Sequence, residues 1–485
     1  MKTRNATVSF KTVGCRLNQA ETATMRASFE ETGYKTVKFG EKCDVCVIHG
    51  CVVTAKAEED SLRLARSIKR KYPETFVVLA GCAAEFFAKS DSSHGRAEQP
   101  ASAKPLDEAG PCPAASSAAQ AVRPNLSGIP RRHAGVDYLA GQNEKFNLAN
   151  ILSPAGSYQK RETHNIAPAF STKRAIVKIQ DGCDCRCKYC IVPSVRGPSK
   201  SRPADEILDE ITRLTLEGFT EIILTGANIG CFSDNECKLP QLLEKVEAIP
   251  TLQRFRISSL EVTTPQSPQQ GEAAAFFSCS RGTPLPRPLD NSTPRKIIDF
   301  MSSSKKMCFF LHLPLQSGSD KILKAMGRPY SAGEYRAIVA YAQKKLGLFG
   351  LGADVIVGFP GETEDDFLAT RQIVEQLPFS NLHVFSYSPR PGTPATSMPG
   401  QVAKKDKDRR ARELIGIGLK KRKDSAKIFI GKRLSMVVEK IKDGWAEGWT
   451  GEYFRARVWA NDLKPKQITE FICKQAEDDV LLGRL

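Results

Sequence analysis

The sequence predicts an α/β protein with three parts: an N-terminal parallel α/β domain, an open (β/α)6 partial barrel and a small C-terminal antiparallel β-barrel. Three observations support this prediction. Apolar, strand-like runs alternate with helical stretches over residues 6–81, the same alternation returns over about 174–385, and short β-rich fragments follow from about 429. Strands that alternate with helices favour parallel sheets, whereas short strands in close succession favour antiparallel pairing.

Length, charge and cysteine content narrow the class of protein. A chain of 485 residues is too long for one compact core. No run approaches the roughly 20 apolar residues of a membrane span, and the N-terminus has no apolar signal region, so we expect a cytoplasmic protein without a membrane partner. The net charge of +17 indicates an acidic partner, most commonly nucleic acid. Fifteen cysteines in so long a chain favour metal or redox chemistry over disulfides.

The N-terminal pattern predicts strands at 6–12, 44–50 and 76–81, with helices at about 19–32 and 56–71. This β-α-β-α-β order indicates a parallel sheet.

Two tracts rich in Ser, Ala, Pro and Gln interrupt the regular pattern, at about 88–133 and 263–294. Such composition cannot bury a core, so we interpret both as insertions, the first of them disordered. Cys112 and Cys279 lie inside them, and we assign these cysteines no function. The predicted domains are 1–150, 169–427 and 428–485.

The middle region contains six apolar runs: "AIVKIQ", "EIILTG", "RFRISS", "CFFLHLPL", "ADVIVGF" and "NLHVFSY". They favour an open parallel barrel, although periodicity alone is also compatible with a flat sheet. Chemistry in β/α barrels collects at the C-terminal ends of the strands, and each run here ends in polar or glycine-rich residues. We interpret His312 and His383, inside two of the runs, as core residues rather than metal ligands.

A cysteine-rich loop, "DGCDCRCKYCIVP" at 181–193, carries the strongest chemical signal. Cys183, Cys187 and Cys190 have a C-x3-C-x2-C spacing, which lets one loop present three thiolates to an iron–sulfur cube and leaves the fourth iron open. Cys185 lies in the first gap, out of register. Zinc is the alternative, but it usually takes two separated ligand pairs, and no CxxC pair follows this loop.

The motifs resemble those of a known family. "GCDCRCKYCIVPSVRGPSKSRP", "LTGANIG", "RISSLE", "HLPLQSGSDKILKAMGRPY", "DVIVGFPGETEDDF" and "FSYSPRPGTPA" occur in the order seen in radical SAM methylthiotransferases. The resemblance covers nearly the whole chain outside the two insertions. It implies a [4Fe–4S] cluster on Cys183, Cys187 and Cys190, whose open iron binds S-adenosyl-L-methionine (SAM), in an enzyme that inserts CH3–S into tRNA or a ribosomal protein.

The resemblance also implies a second [4Fe–4S] cluster, on which the sulfur donor sits. Its ligands would be Cys15 in "KTVGCRLNQAET", Cys51 in "IHGCVVTAKAE" and Cys82 in "LAGCAAE", each after a predicted strand. Parallel strand ends lie along one sheet edge, where distant thiols can converge. This sequence departs from the usual pattern at His49-Gly50, where Asn-Thr is common, and at Ala84-Glu85, where Ala-Gln is common.

Cys43 and Cys46 are possible competitors because "CDVC" has CxxC spacing. Both lie on or beside a strand whose other residues are apolar, which favours packing over iron binding.

SAM contacts are expected, by the same resemblance, at the barrel strand ends. Tyr189 would lie against the adenine, and Thr225, Gly226 and Asn228 would approach the methionine part. The remaining candidates are Ser258, Ser259, Glu261, Gln316, Ser317, Gly318 and Gly358 to Glu362. Glycine permits close backbone approach, and Gln or Ser supplies neutral hydrogen bonds. For any single one of these residues, a turn or helix cap is an equal alternative.

The C-terminal fragments resemble the TRAM domain, an RNA-binding barrel. Its aromatic and basic residues alternate: Trp445, Trp449, Tyr453 and Phe454 with Lys440, Arg455 and Arg457. Aromatic faces stack on bases and cations bind phosphates, whereas the alternative is that the aromatics fill the barrel core. We expect both, with at least one aromatic exposed.

"CRLNQAE" at the first N-terminal cysteine resembles the branch that acts on N6-threonylcarbamoyladenosine beside the tRNA anticodon. This branch implies a tRNA (N6-L-threonylcarbamoyladenosine-C2)-methylthiotransferase, with SAM as methyl donor and radical source. Its partners would be the tRNA anticodon stem-loop and an electron donor such as flavodoxin or ferredoxin, while the sulfur donor stays open. The alternatives are methylthiolation of isopentenyladenosine or of a ribosomal-protein side chain, and a non-catalytic iron–sulfur RNA-binding redox sensor.

Overall fold

The computed structural model describes residues 6–93, 135–152, 173–265, 289–290, 292–460 and 462–485. The chain divides into two compact units, residues 1–169 and 170–485, and the three predicted domain boundaries stay predictions. Residues 88–93 continue a helix, so the first insertion begins later than we predicted. Most of both insertions, with Cys112 and Cys279, lies outside the described residues. No helix of the described part is long and apolar enough to cross a membrane.

The first unit is built on a five-stranded parallel sheet. Its strands are β1 (Thr7–Thr12), β2 (Lys35–Thr36), β3 (Val45–Gly50), β4 (Phe76–Gly81) and β5 (Tyr138–Ala140), in the order β2-β1-β3-β4-β5. The helices are α1 (Arg16–Glu31), α2 (Ala55–Lys71), α3 (Cys82–Ser93) and α4 (Leu148–Ile151). The central strand β3 is buried along its whole length, as expected for a parallel strand covered on both faces. The predicted parallel α/β domain is confirmed.

The second unit contains six parallel strands in an open half-barrel. They are β6 (Ala175–Lys178), β9 (Glu221–Thr225), β12 (Arg254–Ile257), β15 (Phe310–His312), β16 (Gly350–Val357) and β17 (Asn381–Ser386). Sheets β12-β9-β6 and β15-β16-β17 meet at a parallel bridge between Phe255 and Met307. Three small pairs complete this region: β7 (Gln180–Asp181) with β8 (Lys200–Ser201), β10 (Ser233–Asp234) with β11 (Cys237–Lys238), and β13 (Thr264–Pro265) with β14 (Leu289–Asp290). The six predicted runs are the six strands.

Helices follow the half-barrel strands along the chain. They are α5 (Val192–Arg196), α6 (Ala204–Leu216), α7 (Leu239–Glu247), α8 (Ser292–Ser303), α9 (Asp320–Met326), α10 (Ala332–Leu346), α11 (Glu364–Gln376) and α12 (Lys404–Lys427). On β16, Leu351, Ala353 and Val355 join the large core that the strands share with the helices. Because side chains alternate along a strand, Gly352 and Asp354 face the opposite, concave side.

The C-terminal barrel is closed, in the strand order β18-β19-β20-β22-β21. Its strands are β18 (Arg433–Lys442), β19 (Trp445–Thr450), β20 (Arg455–Trp459), β21 (Ile468–Glu477) and β22 (Val480–Arg484). The predicted small antiparallel barrel is confirmed, with one exception: the β20–β22 pair is parallel. Directions cannot alternate around a closed ring of five strands, so one parallel pair is unavoidable.

Residues 449–454 of this barrel, here called the floor loop, close the N-terminal end of the half-barrel. The first residues of the half-barrel strands meet the loop directly. Arg254 donates from Nη2 to the carbonyl of Trp449 (2.9 Å), and Arg256 donates from Nη2 to the carbonyl of Thr450 (3.1 Å). Phe310 packs against Tyr453 with ring centroids 4.6 Å apart. The concave face therefore has a closed end below its strands.

Candidate active site

The three predicted N-terminal ligands lie at the ends of neighbouring parallel strands. Cys15 caps α1 after β1, Cys51 directly follows β3, and Cys82 follows β4 and begins α3. Gly50 and Gly81 are paired across β3 and β4, so Cys51 and Cys82 leave the sheet at the same level. The sheet edge thus collects three thiols that are far apart in sequence and form no disulfide.

Close backbone packing holds this edge together. A Cβ on Gly14, whose φ is +124°, would lie 2.8 Å from the Cβ of Cys51 and 3.3 Å from its Sγ. Only glycine suits that conformation and that approach. Asn18 donates from Nδ2 to the carbonyls of Val13 (3.1 Å) and Gly50 (3.3 Å), which ties the turn before α1 to the end of β3. The turn carrying Cys15 is therefore fixed beside Cys51.

The two departures from the family pattern fill structural positions. His49 is buried, with Nδ1 3.0 Å from the Thr22 hydroxyl and Nε2 3.4 Å from a carboxylate oxygen of Glu21. A Cβ on Gly81 would collide with its imidazole, so glycine there makes room for the histidine. Glu85 accepts from the backbone N–H of Gln142 (3.1 Å), whose side chain donates to the Sγ of Cys82 (3.5 Å). Neither departure removes a thiol.

Cys43 and Cys46 are buried beside Ser9, whose hydroxyl is 3.2 Å from the Sγ of Cys43. Burial raises the pKa of the Cys43 thiol, and it raises the pKa of Cys46 to about 12. Cys43 precedes β3 and Cys46 is its second residue, so both lie at the opposite end of this strand from Cys51, which favours the packing interpretation of this pair.

The cysteine-rich loop of the second unit runs from β7 to α5 and is anchored at several points. The N–H of Cys183 donates to the carbonyl of Gly197 (3.1 Å), and the N–H of Cys190 donates to that of Cys187 (3.0 Å). Burial raises the pKa of Cys190, and the neighbouring charges of Cys187 and Cys183 raise it further. The three thiols of the predicted triad therefore lie within electrostatic range of one another.

Two side chains, Arg328 and Asn228, donate hydrogen bonds to sulfur atoms of this cysteine-rich loop. Arg328 donates from Nη1 to the Sγ of Cys187 (3.3 Å) and pairs with the carboxylate of Glu261. Asn228 donates from Nδ2 to the Sγ of Cys185 (3.4 Å), with the Sγ of Cys183 at 4.0 Å. Such contacts stabilise thiolates, the form that binds iron.

Cys185 lies against Cys183, and the two thiols have opposite pKa shifts. A hydrogen bond from Cys185 lowers the pKa of Cys183, and the same contact raises the pKa of Cys185. Within this pair, the mutual hydrogen bond favours the thiolate on Cys183. This supports the Cys183, Cys187, Cys190 register from which Cys185 was left out.

Three polar atoms remain unpaired at the ends of three consecutive half-barrel strands. Among the described residues, the Oδ1 of Asn228, the Oγ of Ser258 and the Oε1 of Gln316 are buried and accept no hydrogen bond. Gln316 also has a left-handed backbone, with φ +62°, which is uncommon for a residue other than glycine. Buried polar groups ordinarily have partners, so this arrangement fits a polar ligand such as SAM.

The other predicted contacts divide into two groups. Thr225 is buried beside Asn228, Gly226 packs on the backbone of Gln180, and Tyr189 is half-buried, edge-on to Phe359 with ring centroids 6.4 Å apart. Four make contacts within the protein instead: Glu261 pairs with Arg328, Ser317 contacts the hydroxyl of Thr370, Gly318 presses on the backbone of Thr370, and the N–H of Gly358 donates to Glu362. Ser259 is exposed.

The C-terminal barrel exposes an aromatic pair beside several cations. Trp459 is 52% exposed and packs edge-on to Trp445, with ring centroids 5.4 Å apart. Arg457 lies over the Trp445 ring at 5.1 Å. Lys440, Arg455 and Arg457 share one carboxylate, that of Glu447, at 2.9, 3.6 and 3.4 Å. Three cations on one anion leave this face, here called the Trp445 face, positively charged.

The expectation that one of the four predicted aromatics is exposed is wrong. Phe454 is fully buried in the barrel core, and Trp449 stacks on Tyr453 at 4.8 Å in the floor loop. Trp445 is half-buried, and the exposed aromatic is Trp459, which we did not predict. Alternation along β20 puts Trp459 on the outer face with Arg455 and Arg457.

Comparison with known proteins identifies the family. Residues 177–374 match the Radical SAM superfamily, and residues 7–96 match "Uncharacterized protein family UPF0004". A "Threonylcarbamoyladenosine tRNA methylthiotransferase MtaB" of Chlamydia pneumoniae is 30% identical over 448 residues, 91% of this chain and 89% of that protein. The chain belongs to the radical SAM methylthiotransferase family.

Two further relatives show the range within the family. A "tRNA-2-methylthio-N(6)-dimethylallyladenosine synthase" of Methylacidiphilum infernorum is 30% identical over 457 residues, 89% of this methylthiotransferase and 84% of that protein. An MtaB of Thermotoga maritima is 29% identical over 467 residues, 94% of this chain and 92% of that one. Relatives from both substrate branches are thus about equally similar to this chain in overall sequence identity.

The methylthiotransferase uses two [4Fe–4S] clusters and SAM, and the residues present fit these groups. Each unit offers one triad of thiols. In the second unit, Arg328 donates a hydrogen bond to the triad sulfur of Cys187, and Asn228 donates one to the neighbouring sulfur of Cys185. The unpaired oxygens of Asn228, Ser258 and Gln316 lie after the C-terminal ends of β9, β12 and β15.

Sequence reasoning missed two features of this methylthiotransferase. Arg328 lies in "KAMGRPY", a segment that carried the family resemblance, but its contact with Cys187 spans 141 positions. His383 is half exposed, so the prediction that it is a core residue is wrong, whereas His312 is buried as predicted. His383 is exposed because it lies on β17, the edge strand of the half-barrel, which pairs with no further strand among the described residues.

Proposed function

We propose that this protein transfers a methylthio group to C2 of N6-threonylcarbamoyladenosine next to the tRNA anticodon. The observation that carries the proposal is the presence of two separate thiol triads, one at the ends of three parallel strands and one on the single loop after β7. Buried, unpaired polar oxygens lie at the half-barrel strand ends. A non-catalytic iron–sulfur sensor would have no use for those oxygens.

The residue roles follow from the geometry. Cys15, Cys51 and Cys82 would hold one cluster, and Cys183, Cys187 and Cys190 the other. When bound, the clusters and SAM supply the sulfur, the methyl group and the radical chemistry that forms the new C–S bond.

The protein's own residues orient SAM and shield the reaction. Asn228, Ser258 and Gln316 would donate to or accept from the polar groups of SAM. Arg328 keeps positive charge against Cys187 and fixes the carboxylate of Glu261. The floor loop closes one end of the concave face and so limits the access of water from that side.

The tRNA would bind through the Trp445 face. Its aromatic pair can stack on unpaired bases, and its cations can contact phosphates, a combination suited to a looped RNA such as an anticodon stem-loop. An electron donor such as flavodoxin or ferredoxin would supply electrons to the clusters.

The choice of nucleoside rests on the "CRLNQAE" segment around Cys15, because overall identity is the same for both tRNA branches. The alternative substrate is isopentenyladenosine.

Nucleoside mass spectrometry of total tRNA from a deletion strain tests this choice. We expect 2-methylthio-N6-threonylcarbamoyladenosine to disappear while the isopentenyl product persists, and a plasmid copy to restore it. Loss of the isopentenyl product instead would show that the substrate is isopentenyladenosine. Loss of neither, with a ribosomal protein losing a methylthio group, would overturn the tRNA assignment.

A further inference from the structure

Three potential metal ligands converge on the concave face of the half-barrel, outside both thiol triads. They are His312 on β15, Asp354 on β16 and His383 on β17, three adjacent strands. Asp354 pairs directly with His383, and His312 pairs with Gly352, which is two residues from Asp354 and shares its face. One ligand atom from each residue lies within 4.8 Å of the other two, a grouping found once in the described part of the chain.

The spacing of the ligand atoms suits one metal ion. The Oδ1 of Asp354 is 3.2 Å from the Nε2 of His312 and 3.2 Å from the Nδ1 of His383. Ligands held about 2.0–2.2 Å from a common ion are separated by about 3–3.5 Å. The contact between His383 and Asp354 is also a hydrogen bond, but at 3.2 Å it is longer than the usual length of about 2.7–2.9 Å between a charged imidazole and a carboxylate.

The surroundings of His312 also favour a bound metal ion. Its Nε2 is buried and faces Asp354, yet it makes no hydrogen bond of good geometry to any described residue. A Cβ on Gly352 would lie 2.7 Å from the other ring nitrogen of His312, so glycine there makes space for the imidazole. The contact of the His312 Nε2 with the Asp354 carboxylate therefore leaves the hydrogen-bonding capacity of this nitrogen poorly used, and a bound ion would satisfy it better.

The position of His383 gives an ion access to the three ligands, and a neighbouring side chain can orient its ring. It is half exposed, so an ion can reach the group from the open concave side. The side-chain amide of Asn381 is 3.3 Å from its Nε2, on the opposite side of the ring from Asp354. A half-turn of this amide would present its oxygen instead, which would accept the N–H that metal binding at Nδ1 leaves on Nε2 and so fix the ring.

We propose that His312, Asp354 and His383 form a mononuclear site for a divalent transition-metal ion, with Zn²⁺ or Fe²⁺ as the matching class. Two imidazoles and one carboxylate on one face leave further coordination positions open toward the concave face, where water or another oxygen donor would bind. The proposal does not depend on which nucleoside the enzyme modifies.

Zinc binding by the fully reconstituted enzyme tests the proposal. The holoenzyme is equilibrated in a chelator buffer of fixed free Zn²⁺, and zinc, iron and sulfide per chain are measured by elemental and sulfide analysis. Comparing only samples with equal iron and sulfide excludes zinc bound to empty cysteines. We expect one zinc per chain in the unmodified protein and none in His383→Ala or Asp354→Asn.

Phe385→Ala is the matched control, because Phe385 is an exposed residue on the same face of the same strand, two positions from His383. It should keep one zinc. The proposal is overturned if the unmodified holoenzyme binds no zinc, or if His383→Ala and Asp354→Asn bind as much zinc as Phe385→Ala.

Discussion

The guanidinium of Arg328 donates from Nη1 to the Sγ of Cys187 across 3.3 Å. Arg328 follows α9, and Cys187 lies in the loop between β7 and α5, so the contact joins two distant segments of the second unit. A buried cation beside a cluster thiolate stabilises the more negative, reduced cluster.

Replacing Arg328 should therefore lower the reduction potential of that cluster. In Arg328→Gln we expect a shift of about 60 mV to more negative values, equivalent to a tenfold change in a one-electron equilibrium. An anaerobic redox titration followed by electron paramagnetic resonance measures it. Lys188→Gln removes an exposed positive charge from the same loop and should shift the potential much less. Equal shifts in the two variants would show that only net charge matters.

Iron content tests the assignment of the six thiols. Reconstituted protein should hold about eight iron atoms, at four per cube. The triple alanine variant of Cys183, Cys187 and Cys190 should hold about four. The triple variant of Cys15, Cys51 and Cys82 should also hold about four. Unchanged iron in either variant would refute the assignment.

Cys185→Ala should retain about eight iron atoms, because the contact with Cys185 favours the thiolate of Cys183 rather than that of Cys185 itself. Iron analysis of this single variant, beside Cys183→Ala, measures the difference. Loss of about four atoms from Cys185→Ala alone would mean that the register is displaced.

Loss of the N-terminal thiol triad should abolish one reaction product and leave the other. The triple alanine variant of Cys15, Cys51 and Cys82 should still form 5′-deoxyadenosine from SAM but no methylthio nucleoside, because alanine has no donor atom to hold the sulfur-carrying group. Chromatography of both products from one reaction measures this. Methylthio product from this variant would contradict the division of labour between the triads.

The exposed tryptophan should contribute to tRNA affinity. Trp459→Ala removes one stacking surface, and stacking on one base contributes about 1–3 kcal/mol, so tRNA should bind about 5- to 150-fold more weakly. Filter binding or fluorescence anisotropy measures the affinity. Ile472→Ala, at another exposed apolar side chain of the same barrel, is the control and should bind normally. Normal binding by Trp459→Ala would exclude stacking at the Trp445 face.

The buried carboxylate of Glu221 should matter for stability. It accepts from the Nε of Arg254 (2.7 Å) and of Arg256 (2.8 Å). Burial alone raises the pKa of Glu221, but Arg254, Arg256 and Arg174 outweigh burial and bring the pKa down to about 2. Glu221→Gln leaves buried arginines without their anion and should lower the free energy of unfolding by about 3–5 kcal/mol.

The same carboxylate predicts an acid dependence. Its folded-state pKa is below the unfolded value of 4.5, so its stabilisation is present above about pH 4.5 and is lost as the pH falls toward 2. Urea unfolding followed by tryptophan fluorescence measures both effects, because all three tryptophans lie in the C-terminal barrel. A Glu221→Gln variant with the same slope over that pH window would contradict the linkage.

Local patterns were enough to predict β1, β3 and β4 of the first sheet and the six half-barrel strands, but not the short strands β2 and β5. Each half-barrel strand appears in the sequence as an apolar run, and the cysteines of the site follow strand ends that can be located by periodicity. Features that depend on the closing of the C-terminal barrel were not predictable from local patterns. The parallel pairing of β20 with β22 follows from closing a ring of five strands, which no segment encodes on its own.

Side-chain partners across the fold were also beyond local patterns. The exposure of His383 depends on β17 being an uncovered edge strand, and the contact of Arg328 with Cys187 depends on how α9 packs. Trp449 and Trp459 are both tryptophans on the outer face of neighbouring strands, yet one packs into the floor loop and the other is exposed. Only the three-dimensional arrangement distinguishes them.

The floor loop bears on how this enzyme could evolve or be re-engineered. Trp449 and Thr450 supply the carbonyls that Arg254 and Arg256 require, and Tyr453 covers Phe310. A chimaera that exchanged the C-terminal barrel for an unrelated RNA-binding module would leave Arg254 and Arg256 with the Glu221 carboxylate but without their backbone carbonyl acceptors. The two parts therefore form one inherited unit, and a change of RNA specificity is more accessible by substitution on the Trp445 face than by domain shuffling.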